Sequence, residues 1–407
     1  MNNNESRWLS IEPYVHIAVT GTGVLIYNTV NKTYLVYREK PEITKIADQL
    51  TDQQNGYVIR LNHQQLNNPV VQVFISDLRN KYMGDLHEPQ WSGSKPFNIV
   101  PEPVIKKGLK GLENHLNEIT FHVNTCDLPG LKPFRNAYYQ FPFPVWAPAP
   151  GLVLSPEIIR SVADQVDSLP VAVINFVGSG ILSDPLYHRL ATLFNKPLFR
   201  RKFYVPLMQL PSRLPDRSGK KDYLSLYVTF PVDQQQQDRL ELLSQEFSKN
   251  PRLELYFVVR DNREVEQATE LISRLAFRQT FFKPFLNGKN MQFFREQVFI
   301  SEEDIKASKP TQNQVFSRLS MNEHDYGKLT VFPDGDVYAN VNDEALGNLQ
   351  HQTVAELVDK ELNNPKSWER TRNVVEPCRH CLYRFLCPPV SNYEIHSHKF
   401  NFCHIHP

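Results

Sequence analysis

The apolar residues of the first 90 positions follow two periods. The runs "YVHIAVT" (14–20), "GVLIYNTV" (23–30) and "KTYLVYR" (32–38) are rich in β-branched and aromatic residues and are split by "GTG" and "NK", as strands of a meander are. "KPEITKIADQLTD" (40–52) and "NNPVVQVFISDLRNKYMGDL" (67–86) then space their apolar residues by three and four, with a strand-like "GYVIRL" (56–61) between them. The pattern predicts a small sheet backed by helices over residues 1–90. "HEPQWSGSKPFNIVPEPVIKK" (87–107) loses both periods in favour of Pro, Gly and Ser and reads as a linker, centred on 91–110.

From 111 to 305 the two patterns alternate. Strand candidates are "EITFHVNT", "VAVINFV", "KFYVPLMQL", "LSLYVTF", "LELYFVV" and "QTFFKPF". Helix candidates are "SPEIIRSVADQVDSL", "PLYHRLATLF", "QQQQDRLELLSQEFS" and "NREVEQATELISRLA". The third and fourth strands have no clear helix between them. Repeated alternation predicts an α/β fold with a mostly parallel sheet, open or curved into a partial barrel. In 306–407, "KLTVFPDGDVYANV" predicts two short strands around a "PDG" turn, and "TVAELVDKELNNPKSWERTR" (353–372) a helix.

Composition narrows the function classes. A net charge of +1 over 407 residues gives no reason to expect nucleic acid or an anionic membrane as partner. The basic clusters "FRRKF" (199–203) and "RSGKKD" (217–222) are short enough to be solvated loops or strand ends. The first ten residues lack an export signal's layout, and no run approaches the roughly 18 apolar residues of a membrane span. The expectation is a cytoplasmic protein. "QFPFPVWAPAPGLVL" (140–154) concentrates proline in what reads as a rigid extended connection.

Of five cysteines, four stand as C-x2-C-x5-C-x15-C: Cys378, Cys381, Cys387 and Cys403. An odd count clustered at one end does not read as a disulfide framework. Four thiolates converging from a tight pair, a near neighbour and a returning loop suit either Zn²⁺ or a [4Fe–4S] cluster, and spacing leaves both open. His380, His396, His398, His404 and His406 lie in the same stretch as alternative ligands, with solvent-facing roles expected for most.

The string "PDGDVYAN…LGNLQHQTVAEL…SWERTR…EPCRHCLYRFLCPPVSNYE…KFNFC" resembles the SPASM domain that follows the barrel in radical-SAM peptide maturases, most of all Bacteroidales systems that process double-glycine-type precursors. The resemblance implies a partial (βα)6 radical-SAM-like barrel between an N-terminal sheet-plus-helices domain and a C-terminal SPASM-like cysteine domain. In that family the domain holds two auxiliary iron–sulfur clusters. Here the G-x4-C position after Gly335 is Asn340, the x3-C position after Cys387 is Ser391, and no cysteine lies between Cys126 and Cys378. All three losses fall on the first cluster, while Cys378, Cys381, Cys387 and Cys403 match the ligand set of the second.

The family's C-x3-C-x2-C after the first barrel strand is reduced to Cys126, followed by Gly130 and Pro133. One thiolate cannot hold the cluster that cleaves S-adenosylmethionine, so no such cleavage is expected. The family's G-G-E-P-like turn after the second strand is replaced by Gly178, Ser179 and Gly180 in "VGSGILSDP". The N-terminal segment resembles the peptide-recognition element of peptide-modifying systems. By that resemblance a leader peptide would add a strand at the edge formed by Thr33, Tyr34, Leu35, Val36 and Tyr37.

The resulting expectation is a non-catalytic partner in ribosomal peptide maturation. It would bind a precursor peptide, an active radical-SAM/SPASM maturase, or both, around one [4Fe–4S] site. An alternative is an enzyme of another class reusing the barrel, with His122, Cys126, Asp127 and His188 as its candidates. Another is a binding protein stapled by Zn²⁺.

Overall fold

The computed structural model describes residues 6–87, 94–98, 115–124, 129–134, 136–141, 152–167, 169, 171–196, 199–212, 214, 222–247, 252–275 and 277–405. Most of the linker tract, most of the proline-rich connection, most of "RSGKKD", and the residues Cys126, Asp127 and His406 lie outside them.

The N-terminal part holds two three-stranded antiparallel sheets. The predicted meander is β2 (Val15–Thr20), β3 (Gly23–Asn28) and β4 (Tyr34–Tyr37), paired in the order β2-β3-β4. The second sheet sets β5 (Val58–Leu61) and β6 (Gly84–Leu86) on either side of β1 (Arg7–Ile11). β1 and β6 carry no run long enough to announce themselves; β1 becomes a strand by pairing with β5 and β6, and β6 by pairing with β1. Helix Pro69–Asn80 begins where Asn68 caps the N–H of Val70 at 2.8 Å, with Pro69 supplying a preset φ. Its Val71, Phe74, Ile75 and Leu78 recur at helical spacing. They join Ile43, Ile46 and Leu50 of helix Pro41–Thr51 in one core with both sheets. Each such side chain, fully buried, contributes about 1.5–3 kcal/mol.

The central sheet has nine strands, in the order β12-β11-β10-β9-β8-β7-β13-β14-β15. β7 (Glu118–His122), β8 (Val173–Val177), β9 (Arg200–Pro206), β10 (Asp222–Thr229), β11 (Leu253–Val259) and β12 (Thr280–Pro284) run parallel. β13 (Lys328–Val331) pairs parallel with β7, and β14 (Asp336–Tyr338) and β15 (Gly347–Asn348) continue antiparallel. The "PDG" hairpin therefore extends the large sheet. Among the described residues between β9 and β10 there is a short 3-10 turn, Leu207–Gln209, and the glutamine run opens helix Gln234–Phe247, as predicted.

The four crossover helices, Pro156–Val166, Asp184–Leu193, Gln234–Phe247 and Asn262–Leu275, share one core with alternate strand residues. Ile119, Phe121, Ile174, Phe176, Phe203, Leu226 and Phe257 face that helical layer. The intervening residues, Thr120, His122, Asn175, Tyr204, Tyr227 and Tyr256 among them, face the other side, as the strand period of two requires.

Two expectations are corrected. Helix Val354–Asn363 stops well short of Arg372: Pro365 disfavours helix before it, and three successive N–H groups, of Lys366, Ser367 and Trp368, donate to Glu361 Oε1 at 2.7–3.0 Å. In "FRRKF", Arg201 is buried, not solvated, with its Nε 2.5 Å from Asp222 Oδ1. Among the described residues no helix is long and apolar enough to cross a membrane.

Candidate metal centre

Cys378 opens a 3-10 turn, Cys378–His380, and the N–H of Cys381 donates to the Cys378 carbonyl at 2.9 Å. That turn gathers the C-x2-C pair. Cys387 is fixed by its N–H donating to the Tyr383 carbonyl at 2.8 Å. Cys403 arrives beside Ile300, whose N–H donates to Phe402 at 3.0 Å and whose carbonyl accepts from His404 at 3.0 Å. All four are free thiols, three of them buried and Cys403 half-buried. Burial pushes the Cys387 thiol up to about 12 against the pull of Arg372, and charge at Cys378 and Cys381 adds to the rise. Burial raises Cys381 as well, with a contribution from Cys403.

Three arginines surround the thiols. Arg372 donates from Nη1 to Cys378 Sγ at 3.3 Å and grips Glu394 with two bonds, 3.0 and 3.1 Å. Arg318 donates from Nη1 to the Leu386 carbonyl at 2.7 Å, and Arg384 from Nη1 to the Cys381 carbonyl at 3.0 Å. Arg318 Nε and Arg384 Nε are buried with no hydrogen-bond acceptor among the described residues. The nearest carboxylate to Arg318 Nε, Glu323, stands at 3.8 Å.

Among the described residues no three His, Cys, Asp or Glu side chains form a set able to hold a metal ion. A single Zn²⁺ would need every sulfur about 2.3 Å from one centre. An iron–sulfur cluster asks for a wider arrangement, because each cysteine binds its own iron, and the thiolates give the assembly negative charge. Four cysteines ringed by cationic side chains with unanswered buried N–H groups fit an anionic group of that kind. Cys378, Cys381, Cys387 and Cys403 would hold it, and its chemistry would be one-electron transfer or structural cross-linking.

The nearby histidines do other things. His380 is exposed beside Glu376 at 3.5 Å. His396 stacks on Tyr139 with centroids 5.4 Å apart, and His398 takes the left-handed cap of helix Asn392–Ser397. His404 Nε2 lies 3.0 Å from the Arg295 carbonyl.

The two positions where the resemblance would place further cysteines come together. Ser391 caps helix Asn392–Ser397, its hydroxyl 2.8 Å from Glu394 Oε2. Asn340, buried, donates to Asp325 Oδ1 at 2.9 Å and, at 2.8 Å, to Oδ1 of Asn392, the residue after Ser391. Asn322 adds a bond to Asp325 Oδ2 at 3.1 Å. This network borders a cavity of about 70 Å³ lined also by Glu118, His122, His324 and Lys328. Burial pushes the Asp325 carboxyl up to about 7 and holds His122 down at about 3.

From β8 to β11 the face of the parallel sheet opposite the helices is covered by the chain itself, while the cavity lies beside β7 and β13. Phe134, Ala137 and Phe141, from the segment after β7, pack with Tyr204, Tyr227, Tyr256, Val258 and Phe285. Gln140 closes the segment down with a reciprocal pair of 2.8 Å bonds to the main chain of Leu286, and Tyr393 OH donates to Pro284 at 2.6 Å. Below, Lys202, Ser225 and Tyr256 all bond to Glu254 within 2.9 Å. The Gly178-Ser179-Gly180 turn is clamped by Asn124, whose Nδ2 donates to Ser179 O at 2.7 Å. A Cβ at Gly178, with φ of 158°, would meet Asn124 Oδ1 at 2.6 Å. His122 lies on this inner face, whereas His188 is exposed on the helix Asp184–Leu193 of the opposite layer, so the two are not brought together.

Thr33 leads into β4, whose residues Tyr34–Tyr37 are half-buried and, among the described residues, pair on one side only, with β3. Leu35 and Tyr37 pack into the N-terminal core, while Tyr34 and Val36 pack against Cys381, Leu382, Tyr383, Phe385, Leu386 and Cys387. The β2-β3-β4 sheet thus lies directly on the cysteine-bearing loop. His16 meets Phe385 edge-on at 4.9 Å, and Tyr27 OH donates to Pro310 at 2.9 Å. Sequence reading missed the three arginines and the Asp325 network. Only the capping pattern S-x-x-E at Ser391–Glu394 was there to be found.

No family model and no curated protein matches the chain. Among solved structures it is similar to the crystal structure of Streptococcus suis SuiB, at 10% identity, covering 93% of this chain and 94% of that one, with a TM-score of 0.43. A structure of SuiB bound to S-adenosylmethionine gives 11% identity over 93% and 94%, with a TM-score of 0.34. Native anSMEcpe with bound AdoMet gives 16% identity, covering 70% of this chain and 96% of that one, with a TM-score of 0.44.

Proposed function

We propose that this chain is a non-catalytic, radical-SAM-like partner in ribosomal peptide maturation. It binds a precursor peptide, an active radical-SAM/SPASM maturase, or both, and its four C-terminal cysteines hold one [4Fe–4S] cluster. The observation that carries the reading is the covering of the inner face of the parallel sheet over β8 to β11. Where a barrel enzyme would receive substrate, Phe134, Phe141 and Phe285 pack on Tyr204, Tyr227 and Tyr256. The bonded positions of Asn340 and Ser391 support it, because hydrogen-bonded side chains occupy both places at which the resembling family carries further cysteines. The outer edge of β4, which no described strand pairs with, supports peptide binding by strand addition.

Iron, sulfide and visible absorption of anaerobically purified protein test this, with Cys387→Ser beside the wild type. About four irons with matching sulfide, lost in the variant, and no S-adenosylmethionine cleavage under reducing conditions are expected. Stoichiometric zinc would replace the cluster by a staple. Iron for a second cluster, or cleavage activity, would overturn the non-catalytic reading.

A further inference from the structure

A groove of about 480 Å³ opens at Cys403, the least buried of the four cysteines. Its floor is apolar. Phe299 stacks on Phe402 with centroids 4.9 Å apart, and Met291 adjoins them. Its rim carries two cations, Arg295 from helix Met291–Gln297 and Lys399, with the imidazole of His404 beside them, all exposed. No acidic residue lines it. Among the described residues neither Arg295 nor Lys399 takes part in a salt bridge, whereas Arg79, Arg201, Arg260 and Arg372 elsewhere all do. Asp304, which accepts from the Ser301 N–H at 2.9 Å and its hydroxyl at 2.7 Å, is held below the usual carboxylate range and faces His404, so the excess positive charge of the rim rests on Arg295 and Lys399.

An apolar floor of stacked aromatics between uncompensated cations is complementary to an anionic, partly apolar chain, and the volume lies within the roughly 300–1,000 Å³ of ordinary ligand sites. We infer that this groove is a second docking site, for an extended acidic polypeptide segment whose carboxylates meet Arg295 and Lys399 while an apolar side chain lies on Phe299 and Phe402. The inference deepens the reading above and rests on it for the polypeptide nature of the occupant. It is independent of the β4 edge and of what the cysteines hold.

Fluorescence anisotropy of the full chain with a fluorescein-labelled hexapeptide, DEFDLE, tests it against a KRFKLR control. The acidic probe should bind and weaken steeply as salt rises. Arg295→Glu/Lys399→Glu, both changes at exposed positions, should lose about tenfold or more in affinity for it and gain affinity for the basic probe. Phe299→Ala should weaken it with salt dependence retained. Equal binding of both probes to the wild type, or unchanged binding by the charge-reversed variant, overturns the groove. Loss of the acidic probe in Val36→Pro but not in the charge-reversed variant would also overturn it, by placing the peptide on β4 and leaving the recognition reading intact.

Discussion

Asn340 and Asn392, 52 positions apart, are joined by a hydrogen bond of 2.8 Å inside the molecule, and the same Asn340 amide donates to Asp325. Asn340→Ala would leave the Asp325 carboxyl and the Asn392 carbonyl oxygen short of a donor. A loss of about 1–3 kcal/mol per stranded group is expected in urea unfolding. Asn340→Cys together with Ser391→Cys should cost similar stability and bring no additional iron, because the remaining ligand of that cluster has no counterpart.

Arg372 and Glu394 form a buried two-bond ion pair beside Cys378. Arg372→Met strands a buried carboxylate and should destabilise by about 3–5 kcal/mol, while Arg372→Met/Glu394→Gln should recover part of that loss. Paired thermal melts of the single and double variants check it. A double-variant loss equal to the sum of the losses of Arg372→Met and of Glu394→Gln alone would mean that the pair is not coupled.

Asp325 titrates near 7 in the folded chain against an ordinary 3.8, through burial. The folded state therefore holds this proton more tightly, so its contribution is full below about pH 4 and is lost as pH rises through about 7. The slope is at most about 1.4 kcal/mol per pH unit. His122 has the opposite sense. Burial holds it near 3 against 6.5, so its contribution is present above about pH 6.5 and is lost as pH falls toward 3. In chemical unfolding across pH 4–8, Asp325→Asn should gain on the wild type as pH rises, and His122→Phe should gain as pH falls.

The ladder anchored by Asn28 N–H donating to Thr33 O at 2.9 Å alternates along β4, so Tyr34 and Val36 turn their main-chain groups to the unpaired side. Val36→Pro should remove a docking donor and reduce precursor affinity about tenfold or more, with the far-UV circular dichroism kept. Binding unchanged in that variant would move the peptide site elsewhere.

Element type was legible wherever one period ran for a full strand or helix, as in "LELYFVV" or "NREVEQATELISRLA". It failed where the decisive partner lay far off. β1 and β6 are strands because they pair across about 75 residues, and the run through Trp368 stops being helical because Glu361 draws three N–H groups to itself. Arg201 looked like surface charge until Asp222 of the next strand was placed beside it.

The sequence by itself determined the alternation of strand and helix, the four-cysteine spacing and the missing cysteines, because these are local in the chain. Only the tertiary structure decided what occupies the inner face of the sheet, that Asn340 meets Asn392, that three arginines surround the thiols, and that β4 rests on the loop carrying Cys381 and Cys387. Each of these is a contact between distant segments. Burial and pairing energies depend on which groups the fold brings together, and no residue pattern encodes that in isolation.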